Sequence, residues 1–246
     1  MFNFENQIAI ITGGTRGIGA GLTKSYLKAG ATVIATYASN DQAAQNFKEE
    51  LSIYGEKLQI RKFNVANKTE CENFFQEFDQ KYESLHILIN NSGIRKDSLA
   101  ASMSESDWDQ VMDINLKGSF MMSQLAILRM MKSRYGRIIN MSSVGGKLGL
   151  SGQANYAASK AGQVAISKVI SKEVAKRNIT INNVAPGFIE TELLTDLAED
   201  LVKEYKSQVP MKRFGTVDEV AHAVMFLSSK EASYITGATI EVTGGL

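Results

Sequence analysis

The sequence has one cysteine, Cys71, two histidines and two prolines in 246 residues. A single thiol cannot close an internal disulfide, so the chain suits a reducing compartment and a cytoplasmic protein is expected. So few cysteines and histidines leave zinc without its usual ligands, and no metal is expected. Basic residues exceed acidic ones only by 27 to 26. The general basic excess of a nucleic-acid or membrane surface is missing, so neither partner is expected. No apolar run approaches the roughly 20 residues of a membrane span. The first six residues, Met-Phe-Asn-Phe-Glu-Asn, carry no basic stretch and no cleavage signal, so a secretory peptide is not expected. Internal repeats of solenoid or propeller period are absent as well.

What remains is an ordinary globular composition, 44% hydrophobic and 22% charged, with ample length to bury a core. Short β-branched runs alternate with longer amphipathic segments, the pattern of βαβ units feeding a parallel sheet. Strands are predicted over Gln7–Thr12, Thr32–Tyr37, Leu58–Val65, Leu85–Asn90, Arg137–Ser142, Thr180–Ala185 and Thr239–Val242. Most are apolar at consecutive positions, as strands covered on both faces are. Helices are predicted over Gly17–Ala29, Asp41–Ser52, Lys68–Tyr82, Asp109–Lys132, Tyr156–Arg177 and Val217–Leu227. No linker interrupts the alternation, so residues 1–246 read as one catalytic domain. The longest departure, residues 187–214, has a helical-looking stretch from Glu192 to Lys206 and follows a strand's carboxyl end, where a substrate lid would sit.

Thr12-Gly13-Gly14-Thr15-Arg16-Gly17-Ile18-Gly19 lies between the first strand and the first helix. Glycines there permit a tight turn and close approach of a pyrophosphate, and the helix start supplies amides and a favourable dipole. The Gly-x-x-x-Gly-x-Gly spacing is wider than the usual dinucleotide fingerprint. An NAD-selective site places a carboxylate at the end of the second strand. Here Ala35 to Asn40 contain no acid, and Asp41 comes late, whereas Arg16 can neutralise a 2′-phosphate. NADP(H) is the expected cofactor.

Tyr156 and Lys160 are four residues apart, on one helical face. A free tyrosine near pKa 10 is a poor proton donor, and a neighbouring ammonium is expected to bring it toward the working range. Ser143, thirteen residues earlier, ends a strand whose carboxyl end faces the expected crevice, and its hydroxyl could hold a carbonyl oxygen. Ser142 competes for that role on local grounds. Asn115 is out of place in a helix interior, and its buried amide could anchor a water leading to Lys160.

Together with Asn90-Asn91-Ser92-Gly93 and Pro186-Gly187, these motifs occur in the order and spacing of the short-chain dehydrogenase/reductase family, which the whole chain resembles. The resemblance implies a doubly wound, seven-stranded parallel sheet (a Rossmann fold) in three α/β/α layers. It implies a catalytic tetrad of Asn115, Ser143, Tyr156 and Lys160, and selects Ser143 over Ser142. For the cofactor it implies the turn residues Gly13, Thr15, Arg16, Gly17, Ile18 and Gly19, with Asn64 and Val65 beside the adenine. Asn91 falls near the ribose, which Lys160 also holds, Ile189 falls near the nicotinamide carboxamide, and Gly93, Tyr156, Pro186 and Gly187 are further cofactor contacts. The usual alanine of Asn-Asn-Ala-Gly is Ser92 here.

Within the family the chain is most similar to the branch that reduces 3-oxoacyl groups on acyl-carrier protein. Gly152–Gly162, Val184–Thr191 and Tyr234–Gly237 carry that likeness. Arg134 and Arg177 match two basic residues that dock the acidic carrier, and charge steering makes that reasonable. The same chemistry would also serve acetoacetyl-CoA, a sugar alcohol or another small carbonyl. A non-catalytic NADP-binding sensor would be expected to lose tetrad members, and all four are kept. A homotetramer is implied, built on helices whose Met121, Met122, Ala126, Ala161 and Ala165 exceed what one sheet needs.

Overall fold

The computed structural model describes residues 2–191 and 199–246. Among them, seven strands form one sheet: β1 Ile8–Ile11, β2 Thr32–Tyr37, β3 Leu58–Lys62, β4 Ile87–Asn90, β5 Gly136–Met141, β6 Ile179–Pro186 and β7 Thr239–Val242. Their order is β3-β2-β1-β4-β5-β6-β7, with every pair parallel. The order reverses at β1, between β2 and β4. A crevice therefore opens at the carboxyl ends of β1 and β4, the switch point where such sheets bind ligands.

Alternation along the strands builds two cores. Ala9, Ile11, Val33, Ile87 and Ile139 point to one face, which α1 (Gly17–Lys28) and α9 (Val217–Ser228) cover with Leu22, Tyr26, Val220 and Val224. Ile10, Ile34, Leu88, Ile138 and Ile181 point to the other. There α3 (Lys68–Lys81) supplies Phe74, Phe75 and Phe78, α5 (Ser119–Ser133) supplies Met122, Ala126 and Met130, and α7 (Ala154–Val174) supplies Ile170 and Val174. A strand covered on both faces has no polar side to show, which is why β1 and β4 read as nearly continuous apolar runs. The single cysteine, Cys71, is buried on α3, with its thiol pushed up to about 11, chiefly by burial. No helix of the described residues is long and apolar enough to cross a membrane.

Helix starts follow side-chain caps. Asn40 accepts from Ala43 N–H to open α2 (Asp41–Glu50), and Ser104 accepts from Asp107 N–H to open α4 (Glu105–Val111). Thr216 and Glu219 close a reciprocal capping box on α9.

Some boundaries differ from the sequence expectation. β3 stops at Lys62, not Val65, and β4 starts at Ile87, not Leu85. The helix expected from Asp109 to Lys132 starts earlier, at Glu105, and is interrupted by a π-helical turn over Met112–Gly118. A short helix, α6 (Gly145–Leu148), follows β5. Of the helical stretch expected from Glu192 to Lys206, α8 forms over Glu199–Gln208, and residues 192–198 lie outside the described residues. Met122 and Ala126, expected to exceed the needs of the sheet, pack onto it. The apolar residues of α5 and α7 left exposed include Phe120, Leu128, Met131, Ala161, Ala165 and Val169.

Candidate active site

The turn after β1 is held by the loop after β4. Thr12 Oγ1 accepts from the backbone N–H groups of Asn91 and Ser92, each at 3.0 Å. Asn91 Nδ2 donates to the carbonyls of Thr12 at 3.0 Å and Gly13 at 3.1 Å. The side-chain amide expected near a ribose thus shapes the turn itself. Gly13 and Gly17 take φ of +61° and +50°, the left-handed region that favours glycine. A Cβ on Gly19 would stand 2.0 Å from Gly13 O, whereas one on Gly17 would meet nothing within 4 Å. The first turn of α1 carries no side-chain cap and no acid. Open space at the positive end of a helix dipole fits a pyrophosphate, with Thr15, Ile18 and the exposed Arg16 around it.

At the end of β2, Asp41 is already engaged. Its carboxylate accepts from Tyr37 Oη at 2.9 Å and from Lys62 Nζ at 2.7 Å. Lys62 first, then Tyr37, holds it below the usual carboxylate range. Asn64, exposed, donates its N–H to Glu70, and Val65 is buried against Gly118. Both follow β3 at the same sheet edge.

Past β5 the two serines separate. Ser142 Oγ is buried and donates to the Lys160 carbonyl at 3.0 Å. Ser143 Oγ accepts from Gly145 N–H at 3.1 Å and converges with the Tyr156 ring beside that glycine, where a Cβ would stand 3.4 Å from each. Of the two, Ser143 is the one that can share an oxygen with the tyrosine. Pro186 and Gly187 close the neighbouring strand end, where Val144 N–H donates to Pro186 O and Gly187 N–H to Val242 O. Ile189 is buried beside Gly215.

Lys160 is buried, with Nζ 5.6 Å from the Tyr156 ring centroid. It donates to Met141 O at 2.7 Å and to Gln163 Oε1 at 3.4 Å. Burial pushes the lysine down to about 8. The tyrosine moves opposite to the sequence expectation: burial raises it above its usual value, Ser143 and then Arg95 draw it back, and Asp97 adds to the rise. Desolvation disfavours a phenolate more than its surroundings favour one.

Asn115 is fully buried in the π-helical turn. Its amide donates to Ile94 O at 3.0 Å and Ser159 Oγ at 3.1 Å and accepts from Ile94 N–H at 2.8 Å. The side chain expected to anchor a water therefore pins the loop after β4. The backbone carbonyl of Asn115, turned out by the π geometry, accepts from Ser119 Oγ at 2.7 Å and Gln163 Nε2 at 2.8 Å. Gly93 packs where these groups meet: a Cβ there would stand 3.3 Å from Asn115 Oδ1 and 3.5 Å from Lys160 Nζ.

Residues 13–246 match the family model described as enoyl-(acyl carrier protein) reductase. The 3-oxoacyl-[acyl-carrier-protein] reductase of Aquifex aeolicus is 41% identical over 98% of this chain and 98% of its own. That of Escherichia coli is 42% identical over 99% and 98%. A crystal structure assigned to a gluconate dehydrogenase of Agrobacterium tumefaciens superposes with a TM-score of 0.94 at 27% identity, covering 99% of this chain and 96% of the other. The chain belongs to the short-chain dehydrogenase/reductase family. Membership implies a nicotinamide cofactor.

Two groups near the tyrosine of this dehydrogenase/reductase escape a reading of the sequence. Arg95 lies 6.0 Å from the Tyr156 ring centroid and pairs with Asp97, which also accepts from Gln153 Nε2 at 3.2 Å. Gln163, fully buried, joins Asn115 to Lys160. A charge two residues after the Asn-Asn-Ser-Gly motif and a glutamine one turn past Lys160 were the available signals.

Arg134 and Arg177 are not brought to this site. Arg134 caps α5 with φ of +52°, and its guanidinium donates to Lys176 O at 3.3 Å, beside Arg177. Both are exposed and precede the amino-terminal ends of β5 and β6. Ser143 lies past the other end of β5, roughly 20 Å away along six strand residues. In the region expected to form a lid, the Phe188 ring stacks on Tyr205 of α8 at 5.0 Å and lies 6.1 Å from the Phe214 ring.

Proposed function

We propose that the chain reduces a 3-oxoacyl thioester on acyl-carrier protein to the 3-hydroxyacyl thioester in fatty acid synthesis, with NADPH as the hydride source. The observation that carries this reading is that Ser143 Oγ and the Tyr156 ring converge beside Gly145, each 3.4 Å from where a Cβ on that glycine would stand, so that one carbonyl oxygen could meet both hydroxyls. Near-complete mutual coverage with two 3-oxoacyl reductases supports the substrate class.

When bound, NADPH supplies the hydride that adds to the carbonyl carbon. Ser143 orients the oxygen with its hydroxyl, itself steadied by Gly145 N–H. Tyr156 keeps its proton at neutral pH because burial raises its pKa, and gives it to the oxygen as negative charge develops there. Lys160 holds its ammonium behind the phenol and faces the ribose position at Gly93. Asn115 fixes the loop bearing Gly93 and Ile94 through two hydrogen bonds and ties it to α7 through a third, to Ser159 Oγ. The glycine turn, with Arg16, would hold the pyrophosphate and 2′-phosphate, and Lys62 neutralises the one carboxylate near the end of β2.

The remaining assignments follow from this reading. Residues 1–246 act as one cytoplasmic catalytic domain, with residues 187–214 as its lid, hinged on Phe188 against Tyr205. Exposed Phe120, Leu128 and Val169 on α5 and α7 form the contacts of a homotetramer. Arg134 and Arg177 dock the acidic carrier, and their distance from Ser143 means that docking there feeds the site of another subunit.

The test is oxidation of NADPH, and of NADH in parallel, with acetoacetyl-carrier protein, crotonyl-carrier protein, acetoacetyl-CoA and gluconate's keto form side by side. The reading requires the acetoacetyl carrier to give the highest kcat/KM and NADPH to exceed NADH. Faster crotonyl turnover would favour the alkene reduction named by the family description. A preference for the sugar acid would favour the activity of the structural neighbour.

A further inference from the structure

We propose that Gln163 is a positioning residue whose amide bridges the backbone carbonyl of Asn115 to the Nζ of Lys160. Its Nε2 donates to Asn115 O at 2.8 Å and to Ser119 Oγ at 2.7 Å, and its Oε1 faces Lys160 Nζ at 3.4 Å. The side chain is fully buried, so every polar atom needs a partner.

The direction of this amide is fixed by its neighbours. A backbone carbonyl can only accept. Ser119 Oγ directs its own hydrogen to that same carbonyl at 2.7 Å, and so meets Gln163 as an acceptor. Both contacts require the NH2 end of the amide. A flip would set oxygen against two acceptors in a buried interior. The oxygen end is thereby committed to the lysine.

Lys160 depends on neutral acceptors. None of the ion pairs among the described residues involves it. From β5 it meets Met141 O, from its own helix Gln163 and the Tyr156 ring, and from the loop after β4 the backbone at Gly93. Arg95 and Asp97 stand beyond the Tyr156 ring, and Asn115 faces it from the π-helical turn. An acceptor on the ammonium favours the charged form, so Gln163 offsets part of the burial that disfavours it. The π-helical turn is what makes the bridge possible, because it frees the Asn115 carbonyl to accept from another helix.

The catalytic consequence rests on the reductase reading, whereas the bridge itself does not. The test titrates Lys160 by NMR in the cofactor-free, full-length protein labelled with 13C at lysine Cε, the signal being assigned from Lys160→Met. Gln163→Met removes the acceptor at nearly constant volume. The Lys160 midpoint is expected to fall by about half to one pH unit, the size of one modest hydrogen bond to a charge. The alkaline limb of kcat should move the same way, with KM nearly unchanged. Ser119→Ala, which removes one of the two acceptors orienting the amide, should lower the midpoint by less. An unmoved midpoint in folded Gln163→Met overturns the bridge. If that variant does not fold, an unmoved midpoint in Ser119→Ala does so. A parent enzyme inactive on every carbonyl would sink the reductase reading and leave the titration result standing.

Discussion

The Nζ of Lys160 stands 5.6 Å from the centre of the Tyr156 ring, yet both its hydrogen bonds run elsewhere, to Met141 O and Gln163 Oε1. Burial raises the phenol and pushes the lysine down to about 8. The group that draws the phenol back most is Ser143, on the substrate side. A phenol that keeps its proton is suited to donate when an alkoxide forms against it, and less suited to abstract one. This relationship favours the reductive direction at neutral pH.

Tyr156→Phe tests the donor directly. The variant keeps the ring and its packing and loses the proton. Turnover should fall by about 10² to 10⁴, while the NADPH dissociation constant, read from nicotinamide fluorescence, should stay near that of the parent. Near-native turnover would remove Tyr156 from its role.

Lys160 should carry a stability cost that Met relieves. Its folded-state pKa of about 8 lies below the ordinary lysine value of 10.5, so between those pH values the unfolded chain binds more protons and stability rises with pH. Below that window the full penalty is present, at most about 3 kcal/mol by the free energy of such a shift. Lys160→Met should therefore be more stable than the parent at neutral pH, with the gain shrinking as pH rises past 8, and should lose turnover. Urea unfolding at several pH values measures both slopes; a variant that is less stable at neutral pH contradicts the account.

Much of this site is legible because it is written in local spacing. Tyr156 and Lys160 share a helix face at i and i+4, and the glycine turn sits at a strand–helix junction that hydrophobic periodicity already marks. What escapes is set by tertiary contact. The π-helical turn at Met112–Gly118 leaves the apolar period almost intact, so one long helix is what the sequence suggests. β3 reads too long because Phe63 and Val65 stay buried after its pairing with β2 ends at Lys62. That Asn91 Nδ2 also ties down the turn, through the carbonyls of Thr12 and Gly13, is a further contact that spacing does not carry. The sign of the Tyr156 shift depends on how deeply the ring is buried, and spacing carries no information about that.

Two glycines of the turn should respond differently to alanine. At Gly19 a Cβ would lie 2.0 Å from Gly13 O, a backbone atom that cannot move without opening the turn. Gly19→Ala should therefore abolish NADPH binding and lower stability. At Gly17 the space is open and only the φ of +50° resists, so Gly17→Ala should cost about 1–2 kcal/mol and keep the fold. Chemical denaturation and cofactor titration of the two variants should separate them clearly; equal effects would mean that close approach at Gly19 is not what shapes the turn.

Arg134 and Arg177 should matter for a carrier protein and not for a small ketone. They sit together at the amino-terminal edge of β5 and β6, bridged by the Arg134 bond to Lys176 O, while Ser143 and Tyr156 lie at the opposite edge. Reversing both charges leaves the reacting groups untouched, so kcat with a simple ketone should hold. KM for acetoacetyl-carrier protein should rise by tenfold or more, the scale of one or two lost charge pairs, and the difference should narrow in high salt. Because the two edges of one chain are so far apart, a carrier held at these arginines needs another subunit's site within reach. Light scattering should therefore show an oligomer at micromolar concentration, and Phe120→Glu with Val169→Glu, which charge the exposed faces of α5 and α7, should weaken both the assembly and the carrier-dependent KM. A monomer that still distinguishes carrier from ketone through Arg134 and Arg177 would exclude delivery between subunits.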